Sequence, residues 1–392
     1  MSARAYLSVR PLPFGHLVRQ EEGIAWMKAA LRRAAETEPV LDVDRAVRFY
    51  DLLARRSQIE SRVTALDDYT HQDWDRMRLH TAPHAGDGQP TGDASAWSRA
   101  ALDGRMAAFA ETADGLARDA FAGDTEAPDL LVQVSCTGYD SPNAVQKLVA
   151  DRAWGEGTRI LSVGHMGCYA ALPALAVAAD AVHATAARLP VTTEGEAADA
   201  RAALLLVELC TLHHHPATTD PEQIVQQCLF ADGAARIDVT ARPRPESQFE
   251  LIDHTEVVVP DTADEMTWRP GAVAFTMTLR RSVPDHIREN VAGVVGRFLA
   301  GHGLSVADVD LFAVHPGGPR VIESTADALG LSDETVRHSQ AVLRTRGNMS
   351  STTLPHIWAG IADDADVPSG ALVCSVAFGP GLTVVVNLLR RR

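Results

Sequence analysis

The chain has 392 residues, of which 46% are hydrophobic, and a formal net charge of -15. This length predicts two domains or one duplicated unit, and the acidic balance argues against general nucleic-acid binding. No apolar run is long enough to span a membrane, and the first residues lack the apolar core of a signal peptide. The five scattered cysteines form neither a disulfide framework nor a CxxC metal motif. We therefore expect a cytoplasmic protein without a metal site.

The N-terminal region predicts helices with basic side chains. Residues 22–80 have a helical pattern and include the densest basic stretch, with Arg55, Arg56 and Arg62. Such side chains usually form a solvated helix face, although a local basic patch would also suit a phosphorylated ligand. The segment from His84 to Asp93 is rich in glycine and proline, which predicts a loop.

A cysteine lies where a predicted strand turns into a predicted helix. Arg159 to Val163 is short, apolar and β-branched, residues 169–182 are rich in alanine and leucine, and Cys168 lies between them. A thiol at a helix N-terminus faces unpaired N–H groups and the positive end of the helix dipole, which both favour the nucleophilic thiolate. A lone cysteine is more often a buried structural residue, so Cys168 needs support from other segments.

Two further predicted strands in the first half are followed by polar residues. Leu130 to Ser135 predicts a strand that is followed by a turn at Cys136, and residues 203–209 predict a central strand that leads to His213-His214-His215. In an extended segment these three histidines would alternate between opposite faces, so they cannot converge on one metal ion. At most one or two of them would line a cavity.

The second half of the chain repeats the plan of the first. Arg242 to Glu246 is the best candidate for a linker, and strands and helices alternate again after it. The boundary divides the chain into residues 1–242 and 243–392, and the second half places His315 at a strand end. Ligands of open α/β sheets bind outside such strand ends, so we expect His315 and Asn348 to be partners of Cys168. Alone, His315 would be typical of a surface turn and Asn348 of a helix cap.

In combination these segments resemble the chalcone and stilbene synthases, the type III polyketide synthases, most clearly from residue 134 to residue 388. Five segments match in order and spacing: Met166–Ala170, Leu229–Ala235, His315–Pro319, Gly347–Ser351 and Phe378–Thr383. The resemblance implies an α/β duplicated thiolase fold, in αβαβα layers with two pseudo-symmetric halves, and a homodimer. It also places Cys168, His315 and Asn348 on the catalytic triad of the family.

The resemblance assigns further residues to the substrate pocket. Phe230 falls on a gatekeeper at the mouth of the acyl cavity, Met277 aligns with a second gatekeeper, and Cys136 faces the cavity as in bacterial members. Trp268 stands near a small residue of the plant enzymes, so we expect the acyl tunnel to be blocked or redirected. His213 replaces a threonine of the cavity wall, where it could hydrogen bond to a polyketide carbonyl; the alternative is a packed turn histidine bonded to backbone.

The substrates that the resemblance implies are acyl-CoA and malonyl-CoA, with no other cofactor and no metal. Arg56 and Arg62 are the candidates for binding the phosphates of coenzyme A, because members of the family place basic residues in this region. An acyl carrier protein is a further candidate partner, and nucleic acid and membranes are not.

The expected reaction is decarboxylative Claisen condensation of an acyl group on Cys168 with malonyl units to make a polyketide of pyrone, resorcinol or phloroglucinol type. One alternative is a ketosynthase-like enzyme that joins two β-keto acyl chains, including chains held on carrier proteins, without iterative extension. A papain-type hydrolase conflicts with the duplicated sheet pattern and the Gly-Pro-Gly hairpin, and a binding protein without catalysis conflicts with the intact triad.

Overall fold

The computed structural model describes residues 4–37, 42–80, 102–188, 199–215 and 218–392, so the loop predicted from His84 to Asp93 lies outside the described residues. The strands are β1 (Ala5–Pro11), β2 (His16–Arg19), β3 (Ser61–Thr64), β4 (Leu130–Ser135), β5 (Arg159–Gly164), β6 (Arg201–Leu209), β7 (Asp232–Thr240), β8 (Phe249–Val258), β9 (Met266–Pro270), β10 (Phe275–Leu279), β11 (Leu311–Val314), β12 (Leu372–Gly379) and β13 (Thr383–Arg391). The helices are α1 (Gln20–Thr37), α2 (Val43–Arg56), α3 (Leu102–Ala120), α4 (Ala144–Asp151), α5 (Ala171–Ala186), α6 (Pro221–Leu229), α7 (Val283–Gly301), α8 (Pro319–Leu329), α9 (Asp333–Arg346) and α10 (Thr353–Asp363). Within these ranges no helix is long and apolar enough to cross a membrane.

Among the described residues, nine strands form one mixed sheet in the order β11-β12-β13-β8-β1-β7-β6-β4-β5. In the first half, β4 pairs parallel to β6, β6 antiparallel to β7, and β7 antiparallel to β1. The second half repeats this series, because β11 pairs parallel to β12, β12 antiparallel to β13, and β13 antiparallel to β8. The two series meet where β1 pairs antiparallel with β8, and the predicted boundary after residue 242 falls in the loop between β7 and β8.

Helices α5 and α10 lie at the centre of the molecule. One core cluster joins their apolar faces to side chains from both halves of the sheet, such as Leu204 of β6 and Val373 of β12. Side chains that alternate with Leu204 along β6, such as Leu205, enter a second cluster with α1, α3 and α4. A third cluster packs α7 on the other face of the second half. Since β6 is buried on both faces, its nearly continuous apolar sequence is the expected one.

Two local predictions differ from the structure. Residues 22–80 are not helical throughout, because β3 follows α2 and pairs with β2, so Arg62 lies on a strand. The segment after β6 is not extended, because Cys210–His213 forms a 3-10 turn. In both places a tertiary hydrogen-bond partner outweighs the local pattern.

The two halves contact each other closely next to Cys168. Gly379 ends β12 and lies against the ring of Tyr169, the residue that follows the cysteine. A Cβ atom at Gly379 would lie 2.1 Å from Cδ1 of Tyr169, well inside van der Waals contact. Only glycine therefore allows the second half to approach the Cys168 turn this closely.

We predict that Gly379→Ala destabilises the protein by about 1–3 kcal/mol, because the added methyl group must displace a packed ring or the backbone. Chemical unfolding followed by circular dichroism measures the effect. Gly296→Ala on α7 is the control, since its Cβ would meet nothing within 4 Å, and there the change should be neutral or stabilising. Equal unfolding midpoints for the two variants would contradict the close packing at Gly379.

Candidate active site

Cys168 lies in the turn between β5 and α5, three residues before the helix begins, and its side chain is partly exposed. The side chains of Ser350 and Asn348 lie near the thiol and act to lower its pKa. These three residues come from opposite halves of the chain, so tertiary structure brings them together. Burial nevertheless raises the pKa of the Cys168 thiol to about 12, against the lowering effect of these two side chains.

Asn348 is held on both its main chain and its side chain. Its N–H donates to the Leu229 carbonyl (2.9 Å), and its carbonyl accepts from the Ala231 N–H (2.8 Å). Its side-chain oxygen accepts from the Ser350 N–H (2.9 Å), and its amide nitrogen Nδ2 donates to the Gly317 carbonyl (3.3 Å). The side-chain amide group near Cys168 is therefore oriented by hydrogen bonds at both its oxygen and its nitrogen.

His315 follows directly after β11, and its N–H donates to the Val376 carbonyl on β12 (2.8 Å). The side chain is buried, and neither ring nitrogen has a hydrogen-bond partner among the described residues. Burial lowers the pKa of His315 to about 3, so the imidazole is neutral at pH 7. A buried imidazole without a partner is a costly arrangement that a bound polar group would relieve.

Burial works against the charged forms of both Cys168 and His315. The pKa values of Cys168 and His315 are shifted by burial toward the neutral thiol and the neutral imidazole. The nearby carboxylate of Glu208 also raises the pKa of the thiol. Desolvation of the thiol thus opposes the thiolate that the sequence predicts at this position.

Glu208, near the end of β6, was not predicted from the sequence as a site residue. Its carboxylate accepts from the Thr137 hydroxyl (2.8 Å), the Cys136 N–H (3.0 Å) and the Ser351 hydroxyl. The thiol of Cys136 lies 3.0 Å from the hydroxyl of Ser350, which also contacts Cys168. The signal in the sequence was an acidic residue within an otherwise apolar central strand, since such a residue needs buried donors.

The side chains of Phe230 and Met277 are buried in the same apolar cluster, and Cys168 and Trp268 pack against this cluster. Phe230 is the C-cap of α6 and forms an isolated parallel β-bridge with Asn348. Met277 lies on β10, directly opposite Trp268 on β9. The three predicted pocket residues therefore belong to, or pack against, the apolar cluster that Cys168 also packs against.

His213 has no free ring nitrogen to offer a ligand. Its Nε2 lies 2.7 Å from the Thr137 carbonyl and its Nδ1 accepts from the Phe275 N–H (3.0 Å), so Nε2 carries the proton. The ring stacks on Phe275 with 4.1 Å between centroids, and burial lowers the pKa of His213 to about 3. The geometry is that of a packed turn histidine bonded to backbone, and not of a donor to a polyketide carbonyl.

Trp268 contacts three loops near Cys136 and His213. Its indole N–H donates to the Cys136 carbonyl (2.7 Å), and its own carbonyl lies 2.8 Å from Nε2 of His165. Its ring packs edge-on against His213 and Phe275. The β9–β10 hairpin is thereby fixed to the loops that follow β4, β5 and β6.

Arg56 and Arg62 do not form a shared basic patch. Arg56 ends α2 and is exposed, whereas Arg62 is only 7% exposed and donates to the carbonyls of Gln227 and Phe230. A buried guanidinium engaged in this way is not available to a phosphate at an entrance, which corrects the prediction for Arg62. Three other arginines, Arg45, Arg48 and Arg281, line an apolar-floored cavity of about 290 Å³ on α2.

The five cysteines of the chain, Cys136, Cys168, Cys210, Cys228 and Cys374, are free thiols in the structure. The described part of the chain contains no group of three or more histidine, cysteine, aspartate or glutamate side chains that could hold a metal ion.

Comparison with known proteins identifies relatives along most of the chain. Residues 250–391 match the family "Chalcone and stilbene synthases, C-terminal domain". The chain is 32% identical over 289 residues to the 1,3,6,8-tetrahydroxynaphthalene synthase of Streptomyces peucetius subsp. caesius, which is 72% of either protein. It is 31% identical over 277 residues to the alpha-pyrone synthesis polyketide synthase-like Pks18 of Mycobacterium tuberculosis, where the match spans 67% of this chain and 65% of that relative.

Solved structures show the same fold over the whole chain. PKS-I from the brown alga Ectocarpus siliculosus superimposes with a TM-score of 0.79 and 26% identity over 99% of both chains. The 1,3,6,8-tetrahydroxynaphthalene synthase of Streptomyces coelicolor A3(2), a bacterial type III polyketide synthase, superimposes with a TM-score of 0.75 and 21% identity over 100% of this chain and 99% of that one. The expected duplicated thiolase fold is confirmed by these likenesses.

The buried histidines predict a pH dependence of stability. The folded protein keeps His213 and His315 neutral down to a pKa of about 3, whereas the unfolded chain protonates them below about pH 6.5. The unfolded state binds more protons in this window, so the free energy of unfolding should fall by up to about 1.4 kcal/mol per histidine and pH unit as the pH drops below 6.5. Urea unfolding at pH 7 and pH 5 measures this fall.

His213→Gln should reduce the fall, because a glutamine amide can make both backbone hydrogen bonds without titrating. His254→Gln is the control, since His254 is exposed on β8, and that variant should keep the wild-type dependence. A dependence that is the same in the wild type and in His213→Gln would count against a neutral buried His213.

Proposed function

Because the chain belongs to the type III polyketide synthases, we propose that it is an acyltransferase which loads an acyl group on Cys168 and extends it with malonyl-CoA. The observation that carries the proposal is the contact of the Cys168 thiol with Asn348, with the unpaired ring of His315 on the loop that Asn348 also contacts. A nucleophile and two groups able to donate hydrogen bonds are the minimum for thioester exchange followed by condensation.

In the loading step, the Cys168 sulfur attacks the carbonyl carbon of an acyl-CoA thioester. A new carbon–sulfur bond forms and the bond to the coenzyme A sulfur breaks. The proton of the Cys168 thiol passes to the base that activates it and from this base to the coenzyme A sulfur, which leaves as a thiol. The neutral imidazole of His315 is the candidate base, since neither of its ring nitrogens has a hydrogen-bond partner in the described part of the chain. Proton transfer to His315 creates an ion pair only when substrate is present, which suits a site where burial favours the neutral forms.

In the condensation step, malonyl-CoA loses carbon dioxide and negative charge develops on the thioester oxygen. The amide Nδ2 of Asn348 and the ring of His315 can donate hydrogen bonds to that oxygen, and the loss of one such donor typically costs about 100- to 1,000-fold in rate. The carbanion then attacks the acyl carbonyl on Cys168, a carbon–carbon bond forms, and the cysteine leaves as a thiolate. The apolar cluster that includes Phe230 limits the access of water to these intermediates.

A pyrone, resorcinol or phloroglucinol type of polyketide is the proposed product class, as part of secondary metabolism. The relatives named for alpha-pyrone synthesis and for 1,3,6,8-tetrahydroxynaphthalene support it. Trp268 fills space beside Cys136, which supports a short or redirected acyl tunnel. His213 would act here only indirectly, by holding Phe275 and the Thr137 loop in place.

Coenzyme A thioesters are the proposed donors, with no other cofactor. Arg45, Arg48 and Arg281 around the apolar cavity on α2, together with exposed Arg56, are the candidates for contacting its phosphates. An acyl carrier protein, which also presents its acyl group as a thioester, is the second proposed donor. The five free thiols suit a reducing compartment, so we place the reaction in the cytoplasm.

A homodimer through β5 is the proposed assembly. This strand is at the edge of the nine-stranded sheet, and its side chains are exposed or only partly buried. Ile160 on β5 and Val177 on the neighbouring α5 are large exposed apolar residues, at 38% and 46%. An exposed apolar edge strand is a template for pairing with another strand, which a second copy of the chain would supply.

Cys168→Ala should abolish acyl loading and leave the fold intact, because the change removes the nucleophile and little volume. Intact-mass spectrometry after incubation with an acyl-CoA measures the loading. Cys374→Ala is the control, since Cys374 is buried in β12, and it should load like the wild type. Acyl groups on Cys168→Ala, for example at Cys136, would show that the nucleophile is wrongly assigned.

The wild-type protein should be a dimer at micromolar concentration, and Ile160→Lys should shift it to monomers, because a charge would be buried at the β5 edge. Light scattering coupled to size-exclusion chromatography measures the mass. Val258→Lys on β8 changes a residue that is 61% exposed and should leave the dimer intact. A monomeric wild type, or dissociation of both variants, would contradict the proposed interface.

A further inference from the structure

We propose that Arg62 is a positioning residue, which holds the gate residue Phe230 and the hydrogen-bond donor Asn348 in one fixed arrangement across the two halves of the chain. The inference rests on the proposed function for its kinetic consequences, whereas its structural content stands on the contacts of Arg62. These contacts come from β3, outside the large sheet, and reach the end of α6 and the loop that follows α9.

Arg62 satisfies two carbonyl groups at the end of α6. Its Nη1 donates to the carbonyl of Gln227 (2.6 Å) and to that of Phe230 (2.7 Å). Carbonyls at a helix C-terminus have no partner within the helix, and a cation there also interacts favourably with the helix dipole. An apolar side chain of similar length at this buried position would leave both carbonyls without this donor.

The same end of α6 is bonded to Asn348. The Leu229 carbonyl accepts from the Asn348 N–H, and the Asn348 carbonyl accepts from the Ala231 N–H. These two hydrogen bonds form the isolated parallel β-bridge between Phe230 and Asn348. A shift of the Phe230 carbonyl would therefore move the backbone from which the Asn348 amide projects toward Cys168.

Arg62 also contacts the Asn348 segment directly. Gly347 has a φ of +74°, and a Cβ atom there would lie 3.0 Å from Cγ of Arg62 and 3.0 Å from the Leu229 carbonyl oxygen. The methylene groups of Arg62 thus pack against Gly347, the residue just before Asn348. Its guanidinium group binds the carbonyl of Phe230, the residue that pairs with Asn348 in the β-bridge.

The backbone that carries Arg62 is fixed to α9, the helix that leads into Gly347. The Ser61 hydroxyl donates to the Thr345 carbonyl (2.8 Å), and the Glu60 N–H donates to the Arg344 carbonyl (2.7 Å). Arg62 therefore closes a ring of contacts from β3 to α9, from α9 to Asn348, from Asn348 to the end of α6, and from there back to β3.

This ring predicts which half-reaction depends on Arg62. Loading requires the thiol and a base, and the turn that carries Cys168 is not in the ring. Decarboxylation requires the Asn348 amide at hydrogen-bond distance from the developing oxyanion, and small displacements of such donors cost a large part of the rate. Phe230 should move with the same bridge, so the product distribution should also change.

The test compares Arg62→Met and Arg62→Lys with Arg391→Met as a matched control. Arg391 also donates from its guanidinium to a helix-end carbonyl, that of Ala362 in α10 (2.8 Å), but lies on β13 away from this ring. The measurements are acyl loading on Cys168 by intact mass, carbon dioxide release from malonyl-CoA, and hydrogen exchange at the amides of Ala231 and Asn348.

For Arg62→Met we expect about 10- to 100-fold slower carbon dioxide release, less than about 3-fold slower loading, and faster exchange at both amides. Arg62→Lys keeps one charged donor, so its carbon dioxide release and its amide exchange should lie between those of the wild type and Arg62→Met. If Arg62→Met does not fold, the same comparison between Arg62→Lys and the wild type tests the positioning role. Arg391→Met should match the wild type in all three measurements.

Equal losses in loading and decarboxylation, unchanged exchange at Ala231 and Asn348, or the same pattern in Arg391→Met would overturn the positioning role. A wild-type protein that neither loads acyl groups nor decarboxylates malonyl-CoA would instead refute the proposed function. The exchange measurement needs no activity and would then decide the role of Arg62 by itself.

Discussion

The main-chain bridge between Phe230 and Asn348 is the interaction on which the site depends. It pairs a residue from the end of α6, in the first half of the chain, with a residue from the loop after α9, in the second half. The duplicated sheet brings the two loops near each other, but these two hydrogen bonds set their distance. Because Asn348 lies near the Cys168 thiol, the bridge also sets the position of the amide group that faces this thiol.

The second feature of the site is a polar network inside an apolar interior. Glu208 receives hydroxyl and N–H donors from the loop after β4 and from Ser351, and so keeps that loop against β6. His213 does the same for the β9–β10 hairpin through Thr137 and Phe275. Each buried polar group here is stabilised only if its partners are in place, and this requirement specifies the arrangement of the loops.

Burial has an energetic consequence for the proposed chemistry. The pKa values of Cys168 and His315 are both displaced toward the neutral forms, so charge separation in the empty site is unfavourable. The same low polarity strengthens every hydrogen bond to a charge that develops during the reaction. The ring of His315, which has no hydrogen-bond partner among the residues that the structure describes, is the group whose environment would change most when a thioester enters.

The sequence by itself determined the alternation of strands and helices, the duplication, the strand-end positions of Cys168 and His315, and the resemblance that joined them to Asn348. These features follow from local periodicity and from residues close together in the chain. Only the tertiary structure decided that Arg62 is buried on helix-end carbonyls, that both nitrogens of His213 are bonded to backbone, and that Glu208 lies beside two thiols. It also surrounds the Cys168 thiol with groups whose burial raises the pKa of this thiol, against the expected thiolate. The physical reason is that hydrogen-bond partners and desolvation depend on groups that are distant in sequence, whereas strand and helix patterns depend on neighbouring residues.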